Sequence, residues 1–478
     1  MREVFVFSKF LIAFCRLPTL GLSLPYNRRK SYCTVMSWLR LEVSQQRIYN
    51  YKVETMRREE LEFLQLKRLK ETLRRVHDRV PFYYKRLKEA DVDISEIRTL
   101  EDVKKLPFTT KDDLRQNYPF GLAAVPLSEV IKIHASSGTT GVPTIALYTK
   151  NDIDMWSEAM ARCLTMAGLT KDDVFQITPS FSLFVGGFGF YYGAMKIGAT
   201  IVPTGPGHSK RQIQLMKDLG TTMLGAIASY GLYLAELAIK EGLDPAKDTK
   251  VRKGIFGAEM WTKDMKRRIA QLWDMDVYDV YGLTEASGNG TASDCYIHDG
   301  LHAWEDLWLW EVIDPKTGER VEPEEEGELV FTTLTKEAMP LIRYRTRDVC
   351  FFYDSLSCDC GRTHRRHSSI KGRTDDMIKV SGVNVWPSSV EQVLMKNPII
   401  SGHYEIIVER IAGLDKMKVR VESKERLEEP KKLSLASQLS KDLRDALLLR
   451  PEVEVLDPFT LPRPEGKIKR VFDLRHYS

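Results

Sequence analysis

A chain of 478 residues with 43% hydrophobic content is too long for one compact core and suits a large domain with at least one smaller companion. Its formal charge of +5 arises wholly within residues 1–35, where Arg2, Lys9, Arg16, Arg28, Arg29 and Lys30 face only Glu3, so the remainder is neutral and offers no basic surface for nucleic acid. Seven cysteines at uneven spacing exclude a disulfide framework and point to a reducing cytoplasm, and no uninterrupted apolar run is long enough for a membrane span.

Residues 1–47 are expected to be a disordered or wrongly started extension. Val4 to Leu24 resembles a signal peptide, but Lys9 and Arg16 interrupt it and no small-residue cleavage site follows. From Glu59 to Arg79 the apolar residues Leu61, Leu64, Leu66, Leu69, Leu73 and Val76 recur at helical spacing. The run Val80-Pro81-Phe82 ends that helix, and Thr109 to Leu114 predicts the capped start of another.

Next comes Ser136-Ser137-Gly138-Thr139-Thr140-Gly141, six small residues between two β-branched runs, which predicts strand, loop, strand. Glycines let successive N–H groups point inward and hydroxyls add donors, making a cradle for phosphate oxygens. By itself the hexapeptide suits a Ser/Thr-rich surface turn equally well. It is not a GxxxxGK[ST] loop, because no lysine follows the second glycine.

Asn151 is expected to cap a helix bearing Ile153, Trp156, Met160 and Leu164 on one face. Phe181 to Phe190 mixes aromatics with Gly186, Gly187 and Gly189, either as tight core packing or as the wall of an aromatic pocket. Strand-like runs at Val174–Thr178, Ala199–Pro203, Met223–Ala228, Lys253–Phe256 and Val277–Tyr281 alternate with helical stretches, which predicts an α/β fold with mostly parallel sheets. Gly327–Thr333 and Val349–Tyr353 read as strands of a more antiparallel section.

Chemistry-bearing residues follow these strands. Tyr281-Gly282-Leu283-Thr284-Glu285 closes one of them, where ligands collect in open sheets, and Glu285 could hold magnesium. Asp348, at the head of Val349–Tyr353, could accept two bonds from a ribose. Gly372 to Lys379 and Gly466-Lys467 complete the set. Cys295, Cys358 and Cys360, with His302 or His298, supply soft S and N ligands for a tetrahedral metal or else are free buried thiols. His364 and His367 read as part of a basic loop.

In sequence and order, Ser136–Gly141, Gly257-Ala258-Glu259, Tyr281–Glu285, Tyr344–Asp348, Gly372–Lys379 and Gly466-Lys467 resemble the core motifs of the adenylate-forming acyl- and aryl-coenzyme A synthetases. Pro143-Thr144, His302–Asp306, Thr332–Pro340 and Cys358–Arg362 are similar to the phenylacetate-activating branch in particular. The commoner loop of the superfamily continues Pro-Lys-Gly; Pro143-Thr144-Ile145 removes that positive charge, as the branch also does.

The resemblance implies a large N-terminal adenylation domain, residues 48–374, and a small mobile α+β domain, residues 375–478. It implies an AMP-forming ligase that joins phenylacetate or a close aryl acid to coenzyme A through an acyl-adenylate. ATP and coenzyme A would be its co-substrates and Mg²⁺ its ion, and the enzyme is expected to be a cytoplasmic monomer or homodimer. Ser136, Ser137, Gly138, Thr139, Thr140 and Gly141 would hold the β- and γ-phosphates, with Gly257, Ala258 and Glu259 beside adenine and Tyr281 and Gly282 lining the nucleotide. Thr284 would contact the α-phosphate, Glu285 bind Mg²⁺, Asp348 take the ribose hydroxyls, and Arg373 lie near ribose and phosphate. Lys467 would be the adenylation lysine and Asp375 the hinge about which the small domain turns, bringing Val380–Val385 to the pantetheine. Members of the branch also imply structural zinc on Cys295, His302, Cys358 and Cys360. Another aryl carboxylate, or a carrier protein as acceptor, is the near alternative; a non-catalytic nucleotide-binding protein would have lost Glu285, Asp348, Arg373 and Lys467, all of which are present.

Overall fold

Helix α1 (Arg58–Arg79) buries the stripe Leu61, Leu69, Leu73 and Val76, carries Glu59 and Glu60 in its first turn and ends on Arg79. Its successor α2 (Pro81–Glu89) starts on a proline, whose missing N–H costs nothing in a first turn. The computed structural model describes residues 47–136, 143–183, 185–375, 378–381, 383–411, 414–463 and 469–475. The extension 1–46, the loop residues 137–142 and Lys467 lie outside the described residues.

Strands β1 (Lys132–Ala135) and β2 (Ile145–Tyr148) form an antiparallel pair in the register Lys132 to Tyr148 and Ala135 to Ile145. The helix that follows, α3 (Lys150–Met166), is capped by Thr149 and not by Asn151. Thr149 is extended, and Asp152 three residues on returns its bond: Asp152 N–H donates to the Thr149 hydroxyl at 3.2 Å and Thr149 N–H donates to the Asp152 carboxylate at 2.9 Å. Asn151, inside the first turn, reaches Glu337 instead.

A central sheet holds β3 (Val174–Ile177), β4 (Thr200–Val202), β5 (Met223–Ile227), β6 (Lys253–Gly257), β7 (Asp276–Leu283), β8 (Gly288–Asp294), β9 (Leu301–Ala303) and, at its edge, residues 366–367. β4-β3-β5-β6-β7 are parallel, linked by helices, among them α4 (Gly186–Ile197), α5 (Ser209–Asp218), α6 (Ala228–Lys240) and α7 (Lys263–Trp273). From β7 through β8 and β9 to residues 366–367 the pairing turns antiparallel. The glycine-aromatic stretch resolves chiefly into α4, pressed so closely on its neighbours that a Cβ at Gly189 would lie 2.0 Å from Asn289 Oδ1.

Strands β10 (Trp308–Ile313), β11 (Gly327–Thr333) and β12 (Tyr344–Cys350) continue as an antiparallel sheet. β12 therefore covers Tyr344–Cys350 rather than the expected Val349–Tyr353, because Tyr344 already pairs with Phe331, and Asp348 lies inside the strand. Beyond them β13 (Arg366–His367) joins the central sheet and β14 (Gly372–Arg373) pairs with β12.

Past a short hairpin of β15 (Ile378–Val380) and β16 (Val383–Val385), α8 (Pro387–Leu394) and α9 (Glu429–Leu447) cover a mixed sheet of β17 (Ile400–Ile411), β18 (Leu414–Ser423), β19 (Glu452–Leu456) and β20 (Val471–Asp473). This C-terminal part has its own core, including Val390, Leu394, Ile406, Val419, Leu439 and Leu443. Among the described residues no helix is long and apolar enough to cross a membrane.

Candidate active site

The β1–β2 pair delivers one wall. Ser136 N–H donates to Thr144 O at 2.9 Å, so the ends of the phosphate-type loop are tied; Ser137 to Gly141 themselves lie outside the described residues. The Thr144 hydroxyl is 2.6 Å from Ser136 Oγ and donates to Glu285 Oε1 at 2.9 Å. That second bond brings a carboxylate from 141 residues further along the chain to Thr144, and Glu285 is only 6% exposed. Thr284 and Glu285 form a short 3-10 turn at the end of β7. The Tyr344 phenol stands beside Glu285; burial, then that carboxylate, pushes it well above its usual range.

A second wall joins two sheets. Tyr281 on β7 donates to Asp348 Oδ2 at 2.6 Å, and Arg373 donates to Asp348 Oδ1 at 2.8 Å. Asp348 and Arg373 are direct cross-strand partners of β12 and β14, so register alone sets them together. Arg373 also donates to Asp375 at 2.9 Å, and Arg347, at the left-handed φ of +66°, reaches the same carboxylate at 3.2 Å. The expected hinge residue thus sits between two arginines.

The third wall is the turn after β6. A Cβ on Gly257 would lie 2.2 Å from Val280 O, and Ala258 adopts φ +71°. Glu259 accepts from Ser229 N–H at the start of α6 (2.6 Å), and burial raises its carboxyl. Gly282 admits the backbone of Gly288, whose oxygen a Cβ would meet at 2.3 Å. Lys467 lies outside the described residues, but the guanidinium of Arg470, three positions on, interacts electrostatically with Glu259 and Glu391.

Three groups escaped the sequence reading. Asp279, two residues before Tyr281 on the same strand face, accepts from Trp261 (3.1 Å) and Ser369 (3.2 Å) and is pushed up to about 6 by burial and then by Asp294. Lys336 is buried with Nζ 3.5 Å from the Tyr148 ring centroid and no hydrogen-bond partner among the described residues; desolvation lowers it to about 8. Arg347 is the third. Strand alternation could have flagged Asp279, whereas nothing local marks a lysine for burial. Along the expected aromatic wall, Phe181 meets Phe188 at 5.5 Å and Tyr191 at 6.2 Å, while Lys132 Nζ lies 3.2 Å from the Phe188 centroid.

Away from these walls, Cys295, His302, Cys358 and Cys360 bring their ligand atoms within 4.8 Å of one another. Cys295 Sγ is 3.8 Å from Cys358 Sγ and Cys360 Sγ is 3.3 Å from His302 Nε2. Edges of about 3.5–3.8 Å are those of a tetrahedron with Zn–S about 2.3 Å and Zn–N about 2.0–2.1 Å, so the donor set fits zinc. The outer nitrogen of His302, Nδ1, donates to His364 O at 3.2 Å, which leaves Nε2 with its lone pair toward the thiols. His298 pairs with Asp294 instead. His364 and His367, expected in a basic loop, are wholly buried: the first packs under Trp304 and the second on Tyr281, where apolar cover outweighs the neighbouring arginines.

The AMP-binding enzyme model matches residues 65–334, and that of the AMP-binding enzyme C-terminal domain matches residues 382–475. The chain belongs to the AMP-binding enzyme family. This AMP-binding enzyme is 42% identical to the phenylacetate-coenzyme A ligase of Thermus thermophilus over 90% of its own length and 100% of that protein. The phenylacetate-coenzyme A ligase of Escherichia coli is 41% identical over 89% of this chain and 97% of its own. A 2-hydroxyisobutyryl-CoA ligase, 28% identical over 90% of this chain and 93% of that one, superposes with a TM-score of 0.84 in its postadenylation state. In its thioesterification state the score is 0.67 at the same identity and coverage. As a whole, this chain therefore superposes better on the former state than on the latter.

Proposed function

We propose that this AMP-binding enzyme is an ATP-dependent acid-thiol ligase that converts phenylacetate to its coenzyme A thioester, releasing AMP and pyrophosphate. The observation that carries the reading is the 2.9 Å bond from Thr144 to Glu285, which brings a buried carboxylate to the strand that follows the loop of neutral donors. Two anions must meet in the first step, and the repulsion between them is the barrier to be lowered. A carboxylate oxygen of the acid bonds to the α-phosphorus while the bond to pyrophosphate breaks. The coenzyme A sulfur then bonds to the acyl carbon, AMP leaves with the electron pair, and the thiol proton passes to solvent.

Ser136–Gly141 would hold the outer phosphates, Thr284 the α-phosphate, and Asp348, oriented by Tyr281 and Arg373, the ribose hydroxyls. Glu285 would hold Mg²⁺, a hard ion that takes one carboxylate together with phosphate oxygens and supplies positive charge where the anions meet. Gly257, Ala258 and Glu259 would flank adenine. Lys467 would bring its ammonium to the same phosphates. We assign residues 48–374 to the adenylation lobe, 375–478 to a lobe turning about Asp375, and Cys295, His302, Cys358 and Cys360 to structural zinc. Among the described residues Cys163, Cys295, Cys350, Cys358 and Cys360 form no disulfide, in keeping with a reducing cytoplasm.

The test is pyrophosphate release from ATP, Mg²⁺ and a panel of aryl acids, with and without coenzyme A. Phenylacetate is expected to give AMP and thioester; pyrophosphate without thioester would overturn coenzyme A as acceptor, and a better hydroxylated or indole-based acid would overturn phenylacetate.

A further inference from the structure

The seam between the adenylation lobe and the C-terminal part is held by polar groups at an irregularity of β17. Ile400 pairs with Ser423 and Tyr404 with Val421, so four steps along β17 answer two along β18, and Gly402 between them adopts φ +96°. Such an insertion turns carbonyls out of the ladder, and an acceptor left unpaired in a closed seam is costly. Arg268 of α7 meets that need. Its Nη1 donates to Ile400 O at 3.3 Å and to Ser401 O, and its Nη2 donates to Glu236 of α6 at 2.7 Å. The other oxygen of Glu236 lies 3.1 Å from His403 Nε2, which belongs to β17 again.

The cluster is largely closed to solvent, with side-chain exposures of 20% for Arg268, 13% for Glu236 and 4% for His403. Beside it the seam is incompletely filled, leaving a cleft of about 190 Å³ bordered by Leu232, Gln271, Met395, Asn397 and Lys424. A polar contact next to a void is suited to parting: guanidinium and carbonyls regain water when separated, whereas a continuous apolar seam would expose oily surface at every turnover.

We propose that Arg268, braced by Glu236 and received by the carbonyls of Ile400 and Ser401, is a positioning residue that holds the lobes in the adenylation arrangement and must release before the thioester step. This rests on the reading that the lobe turns between half-reactions. In the alternative arrangement, β17 would leave α7 and the cleft would open.

The test uses full-length Arg268→Ala, Arg268→Lys and Glu236→Gln. Two rates are read: pyrophosphate release without coenzyme A, and thioester formation from preformed phenylacetyl-adenylate. Arg268→Ala is expected to slow the first by about ten-fold, the loss of a charge-assisted bond, with the second unchanged or faster. Arg268→Lys should recover part of the loss, and Glu236→Gln, which keeps the volume, should shift the ratio in the same direction by less. Equal falls in both half-reactions, or no change in either, would overturn the proposal. Lys467→Ala in the same assays separates the two ideas: if it lowers both rates alike, the turning lobe is wrong; if it lowers only adenylation while Arg268→Ala and Glu236→Gln leave the ratio unmoved, only the lock is wrong.

Discussion

Replacing Thr144 by valine removes one hydroxyl from the bond on which the functional reading rests. Thr144 is 1% exposed, so no water can replace the donor, and Glu285 would lose its 2.9 Å partner. A hydrogen bond to a buried ionised group is worth about 1.5–3 kcal/mol. Expressed in the transition state, that is a loss of about ten- to 150-fold in rate. The Tyr344 phenol still faces Glu285, which favours the lower part of that range. Adenylation is best followed as single-turnover pyrophosphate release over a series of Mg²⁺ concentrations. The rate should fall, half-saturation in Mg²⁺ should rise, and thioester formation from preformed adenylate should change by less than about twofold. Ser136→Ala should raise the Mg²⁺ half-saturation by less, because among the described residues its hydroxyl bonds Thr144 and not Glu285. An adenylation rate within about twofold of the parent, or a matching fall in both half-reactions, would refute the argument.

Metal analysis of protein purified without added chelator should return about one zinc per chain, and Cys358→Ser should cut that content and lower the melting temperature; full thiol titration without zinc would refute the site. The pH dependence of stability should carry the mark of His367, which is wholly buried and pushed down to about 4 by desolvation. The unfolded chain takes up a proton near 6.5 that the folded form refuses, so below that pH the unfolded state binds more protons and stability falls as pH drops from about 6.5 to 4. Between pH 7.5 and 5 the loss for this side chain is about 2 kcal/mol, and His134, also held at about 4 by burial, adds in the same direction. Urea midpoints at about pH 7.5 and 5 measure it. His367→Asn, whose amide can keep the bond to Ser368, should flatten the slope, and an unchanged slope would count against the assignment.

Much of the architecture was legible because it is written locally. The leucine spacing of residues 59–79 specifies one helix, and the alternation of strand-like and helical runs specifies a parallel core. The order of short motifs pointed to the same family that the full-length comparisons identify. Local reading failed where a partner lay far away. Asn151 and Thr149 are both competent caps, and what decides between them is the extended conformation of Thr149 with Asp152 three residues on. The histidines at 364 and 367 stand among arginines in sequence, yet the ion pairs that satisfy those arginines come from elsewhere, as Glu54 does for Arg362 from 308 positions away.

Residue types and their spacing determined the chemistry available to this protein: neutral donors in a glycine loop, one carboxylate after a strand, a lysine near the end. Tertiary structure alone decided what meets what. Thr144 finds Glu285, Tyr281 finds Asp348 across two sheets, and Arg268 finds the turned-out carbonyls of β17. Periodicity of a chain reports which side of an element is apolar, but the pairing of side chains hundreds of residues apart depends on sheet order and register, for which no short stretch carries a signal.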